Sequence, residues 1–208
     1  MATEWTQGPV RIRPFRNSDI DALFEAARES IAEVSRWLAW CHPEYSREET
    51  VAWVTGRTDA WAKGIEYAFA IVDSRGSRLL GGCGLSQLHP LHRFANLGYW
   101  VRSSAAGKGI ATAATLLVAR FGFAELGLVR LEIVVDVDNA PSLRVAEKVK
   151  ATREGVARNR LVTRGRISNA VMFSLVPQDL GLKPLPAPTK PAPYHPDAKH
   201  GDGPPAGT

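Results

Sequence analysis

Residues 98–112 read GYWVRSSAAGKGIAT. The aromatic and β-branched run Tyr99-Trp100-Val101 gives way to a turn with glycine at 107 and 109. A small-residue stretch at helical spacing follows, so the segment joins a strand to a helix. Glycines there permit close backbone approach and unusual dihedrals. The first helical turn leaves amide N–H groups unpaired at the positive end of the helix dipole, which makes an anion site. Lys108 and Arg102 could add charge at its rim. Packing alone also produces glycine-rich turns, and both readings stay open at this point.

Outward from that junction the hydrophobic period changes in a fixed order. Upstream, VRIRPF alternates like a strand. Asn17 or Ser18 can cap a helix carrying Ile20, Leu23, Phe24, Ala27 and Ile31, and IAEVSRWLAW continues it to the break at CHPEYS. Ser46 and Glu49 have the spacing of a capping box before TVAWVTGRTDAWAKG. EYAFAIVD and LLGGCGLSQL then form a hairpin, with ANLGYWVR as the next strand. Downstream of the helix that opens at Gly109 lie a strand (VRLEIVVDV), a helix (APSLRVAEKVKA) and a final antiparallel pair ending at SLV. Strand, helices, three strands, helix, strand, helix and two strands make an α+β layered domain with a mixed sheet, not an alternating doubly wound fold.

That order decides between phosphate loops. A Walker A loop needs GxxxxGK[ST], but Lys108 is followed by glycine and position 102 is Arg. The dinucleotide fingerprint survives only as Gly107, Gly109 and Thr112, with Glu132 downstream. It belongs to a βαβ unit, whereas three hairpin-linked strands precede this loop.

The 208 residues, 45% of them apolar, suit one domain able to bury a core unaided. Only Cys41 and Cys83 occur, without CxxC or Cys/His spacing, so neither a disulfide framework nor a zinc site is suggested and a reducing cytoplasm fits. The N-terminus lacks the apolar core of a signal peptide, and no stretch approaches the ~18 apolar residues of a membrane span. A soluble, cytoplasmic protein is expected. A net charge of +5 favours anionic partners. The positive residues are interspersed with acids, which argues against a nucleic-acid arm and leaves phosphate on a small ligand open. From Gly181 onward, 8 of 28 residues are proline, so residues 181–208 are expected to be a disordered tail and 8–180 the folded domain.

With these residues in hand, the chain resembles the GNAT superfamily of acetyl-CoA-dependent N-acetyltransferases. SAAGKG matches its [QR]xxGx[GA] signature at Gly107 and Gly109, with Ser104 in place of the opening Gln or Arg. DNAPSLRVAEKVKATREGV is similar to the Asn-x-x-Ser, Glu-Lys, Arg-Glu-Gly run of the RimJ/RimL branch, although EKVKA replaces its usual Gly-Phe. RIRPF, RWLAW and LGYWV are similar to that branch too, so the resemblance spans residues 10–176. It implies a mostly antiparallel sheet splayed between its fourth and fifth strands, NLGYWVR and VRLEIVVDV, with pantetheine in the gap. The cofactor would pair with the main chain of Trp100, Val101 and Arg102, and its pyrophosphate would rest on Gly107, Lys108, Gly109, Ile110 and Ala111. Asn139 would contact pantetheine, and Ser142 would lie near the thioester sulfur. No metal is implied.

In such a reaction a neutral amine attacks the thioester carbonyl, an oxyanion forms and the thiolate leaves. A main-chain N–H of residue 100 or 101 would serve the oxyanion. Ser142 could protonate the sulfur or merely cap the helix that follows. Many family members carry Glu where this chain has Asn96, and a carboxamide accepts no proton at neutral pH. Glu132, opposite the apolar set Leu131, Ile133 and Val135, is the leading base candidate; a structural ion pair is the alternative. His42, His89 and His92 could relay protons through water. Trp37, Trp40, His42 and Tyr45 could wall the acceptor pocket or close a core between helices.

Acceptor chemistry bears on the missing base. An α-amine with a pKa near ~8 is about one-tenth neutral at pH 7, whereas a lysine amine near ~10.4 is neutral in under about one molecule in a thousand. A protein or peptide N-terminal α-amine, such as that of a ribosomal protein, is therefore the expected acceptor. Small-molecule amines are the second choice, and a silent acyl-CoA sensor or a basic RNA-binding module is the reading from another class. A monomer and a homodimer both fit.

Overall fold

The structure, a computed structural model, describes residues 4–75 and 78–183. Its strands are β1 (Trp5–Gln7), β2 (Val10–Pro14), β3 (Tyr67–Asp73), β4 (Leu79–His89), β5 (Phe94–Val101), β6 (Arg130–Asp136), β7 (Thr152–Thr163) and β8 (Arg166–Leu175). Its helices are α1 (Ile20–Val34), α2 (Arg47–Ala62), α3 (Ile110–Ala124) and α4 (Ala140–Lys148). All eight strands form one sheet in the order β1-β2-β3-β4-β5-β6-β8-β7, antiparallel throughout except for β5 and β6. This is the expected α+β domain with a mostly antiparallel sheet.

Strand alternation assigns the two faces. Leu85, Leu97, Leu131, Ile133 and Phe173 are buried with Leu117, Val118 and Phe121 of α3. On the other face Ala68, Ala70, Val72 and Trp100 pack with Leu23, Ala26 and Val34 of α1 and Trp53 of α2. Each helix thus buries one apolar stripe on a sheet face that exposes every second residue. α2 begins as its sequence implies: Glu49 N–H donates to Ser46 Oγ (3.3 Å) and Ser46 N–H donates to Glu49 Oε2 (2.8 Å).

Four boundaries differ from expectation. The folded unit starts before residue 8, because Trp5 packs edge-on against Phe69 and Phe121, with ring centroids 5.5 and 5.1 Å away. Neither Asn17 nor Ser18 caps α1. A 3-10 turn at Asn17–Asp19 precedes it, and Asp19 is held by Arg13 through two 2.7 Å bonds. α1 stops at Val34, since Trp37 and Leu38 N–H both turn back to the Val34 carbonyl. Finally, Leu182, assigned to the tail, packs against the core and donates its N–H to the Pro177 carbonyl. The tail expectation for residues 184–208 lies outside the described residues. No described helix is long and apolar enough to cross a membrane.

Candidate active site

β5 and β6 run parallel and pair only at Phe94–Arg130, Ala95–Leu131 and Asn96–Glu132. Beyond Asn96 the strands part, while β5 keeps its pairing to β4 through Val101 and β6 keeps its pairing to β8 through Asp136. The β6-facing main-chain groups of residues 97–101 are thereby released from the sheet. A cleft of about 510 Å³ opens at this gap, with Trp100, Val101, Ile133 and Val134 in its walls, and it continues over the α3 N-terminus.

Gly107 and Gly109 both have left-handed φ, 75° and 76°, and a Cβ at either would meet nothing within 4 Å. The turn therefore keeps its inner side open. The first main-chain bond of α3 is Ala113 N–H to the Gly109 carbonyl, so the preceding amides lie ahead of the helical ladder. Gly107, Gly109, Ile110 and Ala111 line the cleft, and Arg144 and Lys148, one turn apart on α4, line it as well. These features fit a pyrophosphate: free donors, a helix N-terminus, open volume and cations opposite. Lys108 is not in the cleft wall; its Nζ donates to the Ser104 carbonyl (2.9 Å) and braces the turn.

Arg102 does not stand at the rim. Its guanidinium is buried, its Nε donates to Glu29 Oε2 (2.9 Å), and its N–H donates to the Leu80 carbonyl (2.9 Å), so neither group is free for a ligand. Glu29 also accepts from Ser104 N–H (2.7 Å), and these bonds, chiefly that from Arg102, hold its carboxyl down at about 2. The next residue, Ser30, accepts from Ser103 N–H at Oγ (3.0 Å), and Glu33, one turn along, accepts from Ser103 Oγ (2.6 Å). A polar stripe on α1 thus pins residues 102–104 and fixes where the glycine turn begins.

Across the gap, Asn139 caps α4: its Oδ1 accepts from Ser142 N–H (3.2 Å). Ser142 is therefore not the cap. Its Oγ lies 3.0 Å from Tyr99 Oη, and Tyr99 O–H can also donate to the Ser142 carbonyl (3.1 Å). Burial raises the Tyr99 phenol to about 12, against a smaller opposing effect of the Ser142 bond, so it stays protonated. Tyr99, Asn139 and Ser142 all line the cleft. Sequence reading missed Tyr99; the signal was a phenol at an alternation position shared with Leu97 and Val101, where an apolar residue packs more simply.

Glu132 is not in the cleft. It sits at the last paired position of β6, and its Oε1 accepts from Arg130 Nε (3.0 Å), the ion-pair alternative. His89 and His92 stack on each other (4.6 Å) at the opposite end of β5 from the gap. Of the aromatic cluster, Trp37 lines the cleft. Tyr45 is buried and hydrogen-bonded to Thr50 Oγ1 (3.0 Å), and burial raises its phenol to about 12. Trp40 packs edge-on against Trp100 (5.2 Å), and His42 pairs with Glu49 (2.9 Å) outside the wall. Trp37 is thus the member that reaches the cavity, because the turn after Val34 directs Trp40 and Tyr45 against the core and leaves His42 at the surface beside Glu49.

Known proteins share this fold. The acetyltransferase (GNAT) domain matches residues 10–152. YdaF of Bacillus subtilis (strain 168), which carries the provisional name ribosomal N-acetyltransferase, is 30% identical over 173 residues, 82% of this chain and 92% of its own. Mycobacterium smegmatis RimJ, solved in complex with a CoA disulfide, superposes with a TM-score of 0.72 at 25% identity, covering 83% of this chain and 84% of its own. RimL, named a ribosomal L7/L12 α-N-protein acetyltransferase and solved with coenzyme A, gives 0.73 at 25% identity, covering 82% and 95%.

Proposed function

Because the chain belongs to the acetyltransferase (GNAT) family and is an acetyl-CoA-dependent N-acetyltransferase, we propose that its acceptor is the α-amine of a protein or peptide N-terminus. The observation that carries this reading is the absence of a carboxylate deep in the cleft. Among the described lining residues the one carboxylate is Glu33, at the exposed α1 rim and bonded to Ser103, while Glu132 is held outside by Arg130. A site without a dedicated base suits an amine that is already about one-tenth neutral at pH 7 and serves a lysine or polyamine amine poorly. The names of YdaF and RimL support the same acceptor class.

Bound acetyl-CoA supplies an acyl group activated by a thiolate leaving group. The protein's part is to bind, orient and protonate. The amides of residues 107–111 hold the diphosphate, with Arg144 and Lys148 neutralising it from α4. The freed, β6-facing main chain of Val101 aligns the pantetheine arm, and its N–H faces the carbonyl oxygen on which negative charge builds. Ser142 Oγ–H donates toward the sulfur, Tyr99, kept protonated by burial, replenishes that proton over 3.0 Å, and the proton that the acylated amine sheds to water is matched by one that water returns to the phenol. Trp37 forms the acceptor-side wall.

Titration calorimetry with CoA and acetyl-CoA, followed by thiol release against N-terminal peptides and small amines including spermidine, tests this reading. A kcat/KM for peptides with free α-amines well above that for any small amine supports it. Turnover of small amines alone, or CoA binding without turnover of any amine, would overturn the acceptor assignment.

A further inference from the structure

Asn96 is 4% exposed, and neither its Oδ1 nor its Nδ2 has a hydrogen-bond partner. Buried amides are almost always paired, so one left with both ends open calls for a physical reason. Its location supplies one: Asn96 is the residue at which β5 and β6 cease to pair. Leu97 packs toward α3, so alternation turns the Asn96 side chain to the α1 face, beside Gly98 and, one step further, Trp100. Gly98 is paired with Gly84 on β4, so this face has no side chain between Asn96 and Trp100 on β5 or at the matching point of β4. Gly98 and Trp100 line the cleft, which carries its floor to within one side-chain position of the amide, about 7 Å along the strand. Trp40 Nε1, on the ring packed against Trp100, is likewise buried without a partner.

We propose that the Asn96 carboxamide recognises the first peptide unit of the acceptor. This rests on the reading of the acceptor as a peptide N-terminus. Oδ1 accepts one N–H of the neutral α-amine, leaving its lone pair for the thioester carbonyl, and Nδ2 donates to the carbonyl of the same residue. A carboxamide offers an acceptor and a donor on separate atoms without taking a proton from the amine. A peptide end presents the complementary donor and acceptor three bonds apart; a polyamine or a lysine tip has no such carbonyl. Buried groups left unpaired by the wrong ligand discriminate more strongly than an apolar wall does. The amide is covered in the free protein, so the acceptor reaches it by a local opening of the cleft floor.

The test compares Asn96→Leu and Asn96→Ala with wild type on two acceptors, a peptide with a free α-amine and a simple alkylamine without a carbonyl, with acetyl-CoA binding and thermal unfolding measured in parallel. The expected result is a loss of about 10- to 100-fold in kcat/KM for the peptide, about threefold or less for the alkylamine, and an unchanged Kd for acetyl-CoA. The Leu variant should unfold at or above the wild-type temperature, because it removes an unsatisfied buried amide. Equal losses on both acceptors, no loss on either, or a fall of about 5 °C or more in both variants would overturn the proposal. If wild type acetylates no peptide at all, the acceptor reading falls, and this proposal with it. A peptide-active wild type whose variants lose both acceptors equally removes the Asn96 assignment alone.

Discussion

Replacing Gly109 by alanine separates the backbone role of the glycine turn from its ligand role. Gly109 has φ 76° and open space where a Cβ would stand. An L-residue in the left-handed region costs about 1–2 kcal/mol, which for a domain of this size lowers Tm by about 2–8 °C. Gly165, at the tip of the β7–β8 hairpin, has φ 80° and equally open surroundings, so Gly165→Ala should cost the same stability. The difference lies in the ligand. At Gly109 the methyl projects into the space assigned to the pyrophosphate and displaces it from at least one amide. Losing one charge-assisted hydrogen bond of about 1.5–3 kcal/mol weakens CoA about 10- to 150-fold. Differential scanning calorimetry and CoA titration of both variants give the comparison. Matching Tm losses with CoA affinity reduced only in Gly109→Ala is the expected result. Equal CoA affinities in the two variants would refute the phosphate cradle.

Ser142→Ala should lower kcat by about 10²-fold with CoA affinity and Tm nearly unchanged, because Asn139 is the helix cap. Tyr99→Phe should give a smaller kcat loss in the same direction; a Tyr99→Phe enzyme with full kcat would remove the proton relay. Asn139→Ala should instead cost about 1 kcal/mol of stability, read by denaturant unfolding. The Glu29 carboxyl is held at about 2 in the fold, below its unfolded value, so its contribution is fully present above about pH 4.5 and disappears as the pH falls towards 2. Glu29→Gln should therefore show a smaller Tm decrease between pH 6 and pH 3 than wild type. Parallel curves would mean that the Arg102–Glu29 pair contributes nothing to acid sensitivity.

The strand and helix order from β2 to β8 was legible because period 2 and period 3.6 alternate cleanly there and Gly107 and Gly109 mark the left-handed junction between β5 and α3. Ser46 and Glu49 likewise announce a local device whose partners lie three residues apart. What escaped is long-range. Arg102 reads as a phosphate ligand until Glu29, 73 positions away, takes it. Glu132 reads as a base until its short-range partner Arg130 and the early end of the β5–β6 pairing put it outside the cleft. The helix after Ile31 looked continuous because Trp37, Leu38 and Trp40 keep a helical spacing; tertiary packing against Trp100 overrides that local preference. β1 is three residues long, too short for any period to register. Asn96 was visible as a departure from the family pattern, but only its burial without partners shows that its amide is unsatisfied.

The most direct measurement is mass spectrometric mapping of the product when the enzyme and acetyl-CoA act on a peptide that carries both a free α-amine and an internal lysine. The account predicts a single acetyl group on the first residue and no product from the same peptide with its α-amine blocked. Acetylation of the lysine, in either peptide, would contradict it.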